Sequence, residues 1–248
     1  IETDRGYILV DEHGRTSADD VYAVGDGTIG RDHDRRVALA GPANRGGRLV
    51  ADAIADAEHG EATARPIPRP QGTAIVRIGS LTAAMTGANR ATLDAVGTEY
   101  FTVHTHANQH AGYFPGAQPV HILMHVGTDG QILGAQAVGA DGVDRRIDVI
   151  STAMRAGLKA TDLIDLDLAY APPYGQAKDP VNQTGMVAHN VLTGELVLTG
   201  PDALTEDMPV LDVRTVGEYA AGHMPNSLNI PHTQLRDRLD EVRAWVDE

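Results

Sequence analysis

The stretch "VHILMHVGTDGQILGAQAVG", Val120 to Gly139, decides the fold. Two apolar runs flank Thr128-Asp129-Gly130, and an Asp-Gly turn between apolar runs signals a β-hairpin. The runs are therefore read as neighbouring antiparallel strands. Upstream, "EYFTVHTH" (99–106) and "TAIVRIG" (73–79) read as further strands. "LTAAMTGANRATLDAVG" (81–97) is expected to be a helix closed by Gly97 as a left-handed C-cap. Downstream, "VDRRIDVISTAMRAG" (143–157) spaces its apolar residues by three and four, as an amphipathic helix does. Thr161 is expected to cap a short helix over "TDLID", and "APPYG" (171–175) reads as a loop. "DPVNQTGMVAHNVLTG" (179–194) reads as a helix with Asp179 as N-cap and Pro180 at its first position. The middle of the chain is thus an α+β unit on an antiparallel sheet.

Composition narrows the function. The 248 residues carry a net charge of −14, which opposes nucleic acid as a partner because a phosphate-binding face needs a basic field. No cysteine is present, so disulfides, thiolate metal sites and cysteine nucleophiles are excluded within the chain. No apolar run reaches the roughly 18–20 residues of a membrane span, and "IETDRGYILV" lacks the basic start of a signal peptide. A cytoplasmic protein with no membrane partner is expected. Lys159 and Lys178 are the only lysines beside 18 arginines, so each merits inspection.

Residues 1–28 read as two short strands, the second being "DDVYAV" (19–24), a buried run ending at Gly25. From Pro42, "VALAGPANRGGRLVADAIADAE" (37–58) becomes helical, and "ARPIPRPQG" (64–72) is a proline-rich boundary. Gly25-Asp26-Gly27-Thr28-Ile29-Gly30 matches the G-x-G-x-x-G dinucleotide pattern literally. The match is weak: "RDHDRR" is a poor helix start after it, and an Asp inside the loop repels a pyrophosphate. The plain alternative is an Asp that caps a turn.

Taken with Thr16, the run Val21-Tyr22-Ala23-Val24-Gly25-Asp26 resembles the second flavin-binding motif of the flavoprotein reductases with two dinucleotide-binding domains. The resemblance implies that the Asp26 carboxylate accepts a hydrogen bond from a ribityl hydroxyl of FAD, a strong bond because the acceptor is ionised. "LAGPANRGGRLVADAI" (39–54) resembles the helix that follows this motif. In the family its N-terminus points at the pyrimidine end of the flavin, which places Ala43 and Asn44 there, where a helix start favours negative charge. Gly25, Asp26, Ala43 and Asn44 are the implied cofactor-binding residues.

Residues 69–194 resemble the dimerisation domain of these reductases, and in particular that of the coenzyme A-disulfide reductases and their NADH oxidase relatives. The carriers are Gly112-Tyr113-Phe114-Pro115-Gly116, Tyr170-Ala171-Pro172-Pro173-Tyr174-Gly175 and Lys178-Asp179-Pro180-Val181-Asn182. By resemblance Tyr113 and Tyr170 are catalytic, acting across a homodimer axis. A phenol donates a hydrogen bond and carries a proton, although its pKa near ~10 makes it a weak acid. Asn44, Lys178 and Tyr174 are the implied contacts to a coenzyme A-type substrate. The bland reading of "YAPPYG" is a stiff proline loop that packs aromatics.

The tail, from residue 195, resembles a linker and the start of a rhodanese domain, on Leu211-Asp212-Val213-Arg214, Glu218-Tyr219, Gly222-His223-Met224-Pro225 and Asn229-Ile230-Pro231. The expected architecture is therefore α/β and α+β. Residues 1–68 are the remnant of an FAD-binding domain, 69–194 the dimerisation domain, and 195–248 a linker and a truncated rhodanese-like unit. The resemblance implies the C-terminal half of an FAD-dependent pyridine nucleotide-disulfide oxidoreductase that uses NAD(P)H to reduce coenzyme A disulfide, persulfide or polysulfide, with a role in cell redox homeostasis. The redox cysteine and the NAD(P)H site are expected upstream and the persulfide cysteine downstream, so the chain alone is expected to be inactive. Two other readings remain open: an NADH oxidase or peroxidase of the same fold, and a non-enzymatic dimerisation or sulfur-carrier adaptor. His104, His106 and His110 invite a metal reading, but no carboxylate is near in sequence, and no metal is assigned. His33, His121 and His125 are scattered and receive no role.

Overall fold

The computed structural model describes residues 1–31, 36–200, 203–205 and 208–246; His33 lies outside them. The described residues form two compact units, divided between Leu196 and Val197.

The first unit is built on a five-stranded antiparallel sheet of β4 (Ala74–Ile78), β5 (Leu81–Gly87), β6 (Tyr100–Asn108), β7 (Pro119–Gly127) and β8 (Ile132–Gly139), in the order β4-β5-β8-β7-β6. The hairpin at its centre pairs Met124 with Ala135 and Ile122 with Ala137. Gly130, at φ +85°, makes the turn. Alternation along the strands sends Val103, Ile122, Met124, Ala135 and Ala137 to one face. There they pack against α3 (Val143–Arg155), through Val143, Ile147 and Ile150, and α4 (Pro180–Leu192), through Val181 and Ala188. Leu163 of the 3₁₀ helix Ala160–Asp165 completes this core. No helix of the described residues is long and apolar enough to cross a membrane.

Two expected elements differ. Leu81–Gly87 is strand β5, and only α2 (Arg90–Ala95), capped by the Asn89 side chain, is helical. Leu, Ala and Met favour a helix, but pairing with β4 and β8 on both edges overrides that weak preference. At Gly87, φ is +70° and a Cβ would lie 2.5 Å from the Leu133 carbonyl oxygen, so the strand must end on glycine. The short 3₁₀ helix is also not capped by Thr161: it starts one residue earlier, and Asp162 accepts from the Lys159 backbone N–H at 2.7 Å.

Before this sheet come β1 (Thr3–Asp4), β2 (Tyr7–Val10) and β3 (Thr28–Gly30), a small sheet in the order β1-β2-β3, followed by α1 (Ala40–His59). The buried strand expected at "DDVYAV" is absent. Tyr22 makes a single bridge to Arg15, and Val21 and Val24 are 39% and 41% exposed. Two left-handed residues, Gly14 and Asp20, turn the chain too sharply for an extended run. The proline-rich segment is tied down along its length. Ile67 N–H donates to the Glu12 carbonyl at 2.7 Å, Arg155 Nη2 to the Arg69 carbonyl at 2.7 Å, and Gln71 Nε2 to the Ser151 carbonyl at 3.1 Å.

The second unit holds the parallel pair β9 (Leu211–Asp212) and β10 (Leu228–Asn229), with α5 (Val216–Ala221), α6 (His232–Leu235) and α7 (Leu239–Val246). Asp212 accepts from Arg214 Nε and Nη2, and this pairing holds its carboxyl below the usual range.

At the far end of α1, the Asp56 carboxylate gathers the chain that leaves the helix. It accepts from the N–H groups of Thr63 and Ala64, at 2.5 and 2.6 Å, and from the Thr63 hydroxyl at 2.9 Å. These bonds, the one from Ala64 first, lower its pKa. A carboxyl depressed in the folded state stabilises above its unfolded pKa, about 3.9, and loses that contribution as pH falls through its folded value. Asp56→Ala is therefore expected to lower Tm at pH 7, and the deficit should close as pH falls below about 4. Thermal unfolding of both proteins across that range reads it; a deficit that persists at low pH would contradict it.

Candidate functional site

Two groups of residues stand apart within the first unit. The first lines a half-open cavity of about 880 Å³, bordered by Gly25 and Thr28, the first turn of α1 at Ala40 and Ala43, and Ser151 and Arg155 of α3. That volume falls in the range of about 300–1,000 Å³ typical of small-molecule and cofactor sites. The start of α1 is open: Leu39 is the N-cap and supplies no side-chain bond, and no acidic residue occupies the first turn. Uncapped N–H groups at a helix start favour a negative or carbonyl-bearing ligand group. Gly25 has φ +91°, and a Cβ there would sit 3.6 Å from that of Ala43. The two residues thus face each other, and the cradle suits a large, partly anionic cofactor such as a flavin. Asp26 and Asn44 are exposed and lie outside the cavity lining. Asp26 is reached through its backbone carbonyl, which accepts from Arg36 Nη1 at 2.9 Å.

The second group sits where the loops leave the sheet. Tyr113 lies in the loop between β6 and β7, and Tyr170 and Tyr174 in the loop that precedes α4. They are 78%, 47% and 72% exposed. The structure brings Tyr113 and Tyr170 near one another, and the neighbouring Tyr113 phenol first, with a smaller part from burial, raises the Tyr170 pKa. Lys178 is exposed, with its carbonyl accepting from Gln183 Nε2. None of these four residues lines the cavity.

Sequence reasoning missed what holds the tyrosine loops in place. Arg146 of α3 is 2% exposed, and its Nη2 donates to Asp179 Oδ2 at 2.8 Å and to the Gln109 carbonyl at 2.6 Å. Nε and Nη1 reach Asp179 Oδ1 and the Gly142 carbonyl, at 3.3 and 3.1 Å. Gln109 closes the Tyr113 loop, since its side-chain oxygen accepts from the Gln118 N–H and its amide donates to the Gly116 carbonyl. Asp179 caps α4 by accepting from the Val181 N–H at 3.0 Å. Gln176 Nε2 donates to the Asn108 carbonyl and joins the two loops directly. The signal was present: Arg146 falls between Val143 and Ile150 on the apolar stripe of its helix, where a charge needs a buried partner.

The histidines on the uncovered face of the sheet form a pair, with His106 Nδ1 and His121 Nδ1 2.7 Å apart. Burial lowers the pKa of His125, which bonds Thr102 and Gln136. Among the described residues no three His, Asp or Glu side chains converge as a metal site.

Removing one partner of a buried ion pair leaves the other charge unpaired, at a cost of about 3–5 kcal/mol. Asp179→Ala is expected to lose that much stability in urea unfolding, and Asp179→Asn, which retains a cap acceptor, somewhat less. A loss below about 1 kcal/mol, the worth of an N-cap alone, would show that the ion pair contributes nothing.

Residues 73–180 match the family profile of the pyridine nucleotide-disulphide oxidoreductase dimerisation domain. A coenzyme A disulfide reductase of Staphylococcus aureus is 36% identical over 196 residues, covering 76% of this chain and 43% of that protein. Among solved structures, the reduced CoADR-RHD of Bacillus anthracis superposes with a TM-score of 0.88 at 42% identity. An NAD-dependent persulfide reductase from A. fulgidus gives 0.86 at 36%. Each of these two comparisons covers 96% of this chain and 43% of the other. The chain therefore spans less than half the length of these relatives, and its residues 73–180 resemble the dimerisation domain of the pyridine nucleotide-disulphide oxidoreductases.

Proposed function

We propose that this chain is part of a homodimeric, FAD- and NAD(P)H-dependent reductase of coenzyme A disulfide or of a related persulfide or polysulfide. The observation that supports it most is the Tyr113–Tyr170 pair, set on the domain that matches these reductases. The relatives named coenzyme A disulfide reductase and persulfide reductase point to the same sulfur chemistry.

In this reading Gly25 and Ala43 cradle FAD at the open start of α1, and Asp26 accepts a ribityl hydroxyl. FAD supplies the two-electron link between a nicotinamide and a disulfide. The reaction takes NAD(P)H, one proton and a disulfide to NAD(P)⁺ and two thiols. The S–S bond breaks, and each departing thiolate needs a proton. Tyr170 delivers one from its phenol and regains it through Tyr113, which is open to water. The tyrosines act on the partner subunit's half of the site, with residues 69–194 forming the two-fold interface. Asn44, Lys178 and Tyr174 contact the substrate, and the Lys178 ammonium suits the phosphates of coenzyme A. The chain contains no cysteine, so the exchanging thiol belongs to the rest of the whole protein, and these 248 residues alone turn over nothing. Residues 195–248 belong to a rhodanese-like unit that handles persulfide sulfur.

The test is made on the whole protein. It is expected to be yellow and to oxidise NAD(P)H when given coenzyme A disulfide or persulfide. Tyr113→Phe combined with Tyr170→Phe is expected to cost kcat about 10²-fold, the low end of general acid catalysis. A colourless protein, or full activity in the double variant, would overturn the assignment.

A further inference from the structure

We infer that Arg145 is a positioning residue: its guanidinium clamps both ends of the Tyr170 loop and so sets the phenol of Tyr170 against that of Tyr113. Its catalytic consequence rests on the reading of that pair given above; its geometry does not.

Arg145 stands beside Arg146 on α3, and the two point to different loops. Arg145 Nη2 donates to the Ala169 carbonyl at 2.7 Å, and Nη1 to the Tyr174 carbonyl at 2.9 Å. Those carbonyls bracket the segment that carries Tyr170. Within it, the N–H groups of Tyr174 and Gly175 both donate to the Ala171 carbonyl, at 2.8 and 3.1 Å. The clamp is itself anchored, since Asp179 Oδ2 lies 3.9 Å from Arg145 Nη2. Tyr170 is 47% exposed, so burial alone does not hold it; the clamp holds the backbone on either side of it. The loop of the opposite phenol is gripped at its root, where Arg146 Nη2 donates to the Gln109 carbonyl.

The planar fork meets the two carbonyls through two separate nitrogens. A lysine ammonium is a single point charge and serves one of them well. At 32% side-chain exposure, Arg145 can be replaced without opening the core, unlike Arg146.

The experiment is a tyrosine titration in the full chain, followed by NMR with ¹³Cζ-labelled tyrosine and with the Tyr170 signal assigned from Tyr170→Phe. Tyr170 is expected to titrate above the free-phenol value of about 10 in the unaltered protein. Arg145→Met is expected to return it toward that value, as Tyr113→Phe does, and the two changes together should shift it no further. Arg145→Lys is expected to keep part of the shift, and it serves as the test if Arg145→Met unfolds. A Tyr170 titration unchanged in Arg145→Met and in Arg145→Lys would overturn the inference, because a merely structural arginine would change Tm and leave the phenol alone. Disulfide-reductase kcat in the whole enzyme separates the two readings. If Arg145→Met moves the titration while Tyr170→Phe keeps full kcat, the clamp stands and the proton-donor role of Tyr170 falls.

Discussion

The buried pair of Arg146 and Asp179 is the constraint on which the rest of the site depends. Both side chains are almost fully removed from water, at 2% and 3% exposure. Charges so placed are stable only when most of their donors and acceptors find partners. Arg146 meets that demand by gripping three separated points of the chain: the Gln109 carbonyl, the Gly142 carbonyl and the Asp179 carboxylate. Gly142 must be glycine for two reasons. It lies at φ +71°, and a Cβ would run into the guanidinium. One ion pair thus fixes the exit of β6, the start of α3 and the cap of α4 together.

The exposed groups inherit their order from this buried frame. Tyr113 and Tyr174 lie largely in solvent and Tyr170 about half so, where side chains are ordinarily free to choose among rotamers. Their loops are nevertheless proline-bearing and tied by hydrogen bonds from Arg145, Arg146 and Gln176. In the reading proposed above, the pair combines phenols open to a substrate with backbone that hydrogen bonds hold in place. The cavity beside α1 is built on the same logic from different parts, with glycine at Gly25 for close approach and an uncapped helix start in place of a side chain.

Much of the middle of the chain was legible because its signals are local. The turn Thr128-Asp129-Gly130, the cap Asp179-Pro180 and the apolar spacing of Val143 to Gly157 each depend on neighbours within a few residues, and the strands and helices lie where those signals put them. The misreadings are equally specific. Leu81–Gly87 has helix-favouring composition, yet its partners are β4 and, about fifty residues later in sequence, β8. Val21–Val24 looks like a buried strand because it is apolar, yet left-handed turns leave it without a strand partner. In the first case the deciding contact is non-local and no window of sequence contains it; in the second the cause is local, two left-handed residues that residue type does not announce.

The sequence by itself determined the hairpin, the helices of the core and, through "GYFPG" and "YAPPYG", the tyrosines worth naming. The hairpin and helices follow from turn chemistry, periodicity and residue type, which the chain carries wherever it goes; the tyrosines follow from the resemblance of their loops to those of a known family. Tertiary structure alone decided that Tyr113 meets Tyr170, that Gly25 faces Ala43, and that two adjacent arginines on one helix reach two different loops. The reason is that a guanidinium or a phenol has no preferred partner along the chain. It takes whichever acceptor the packed core brings within about 3 Å, and only the packed core fixes which one that is.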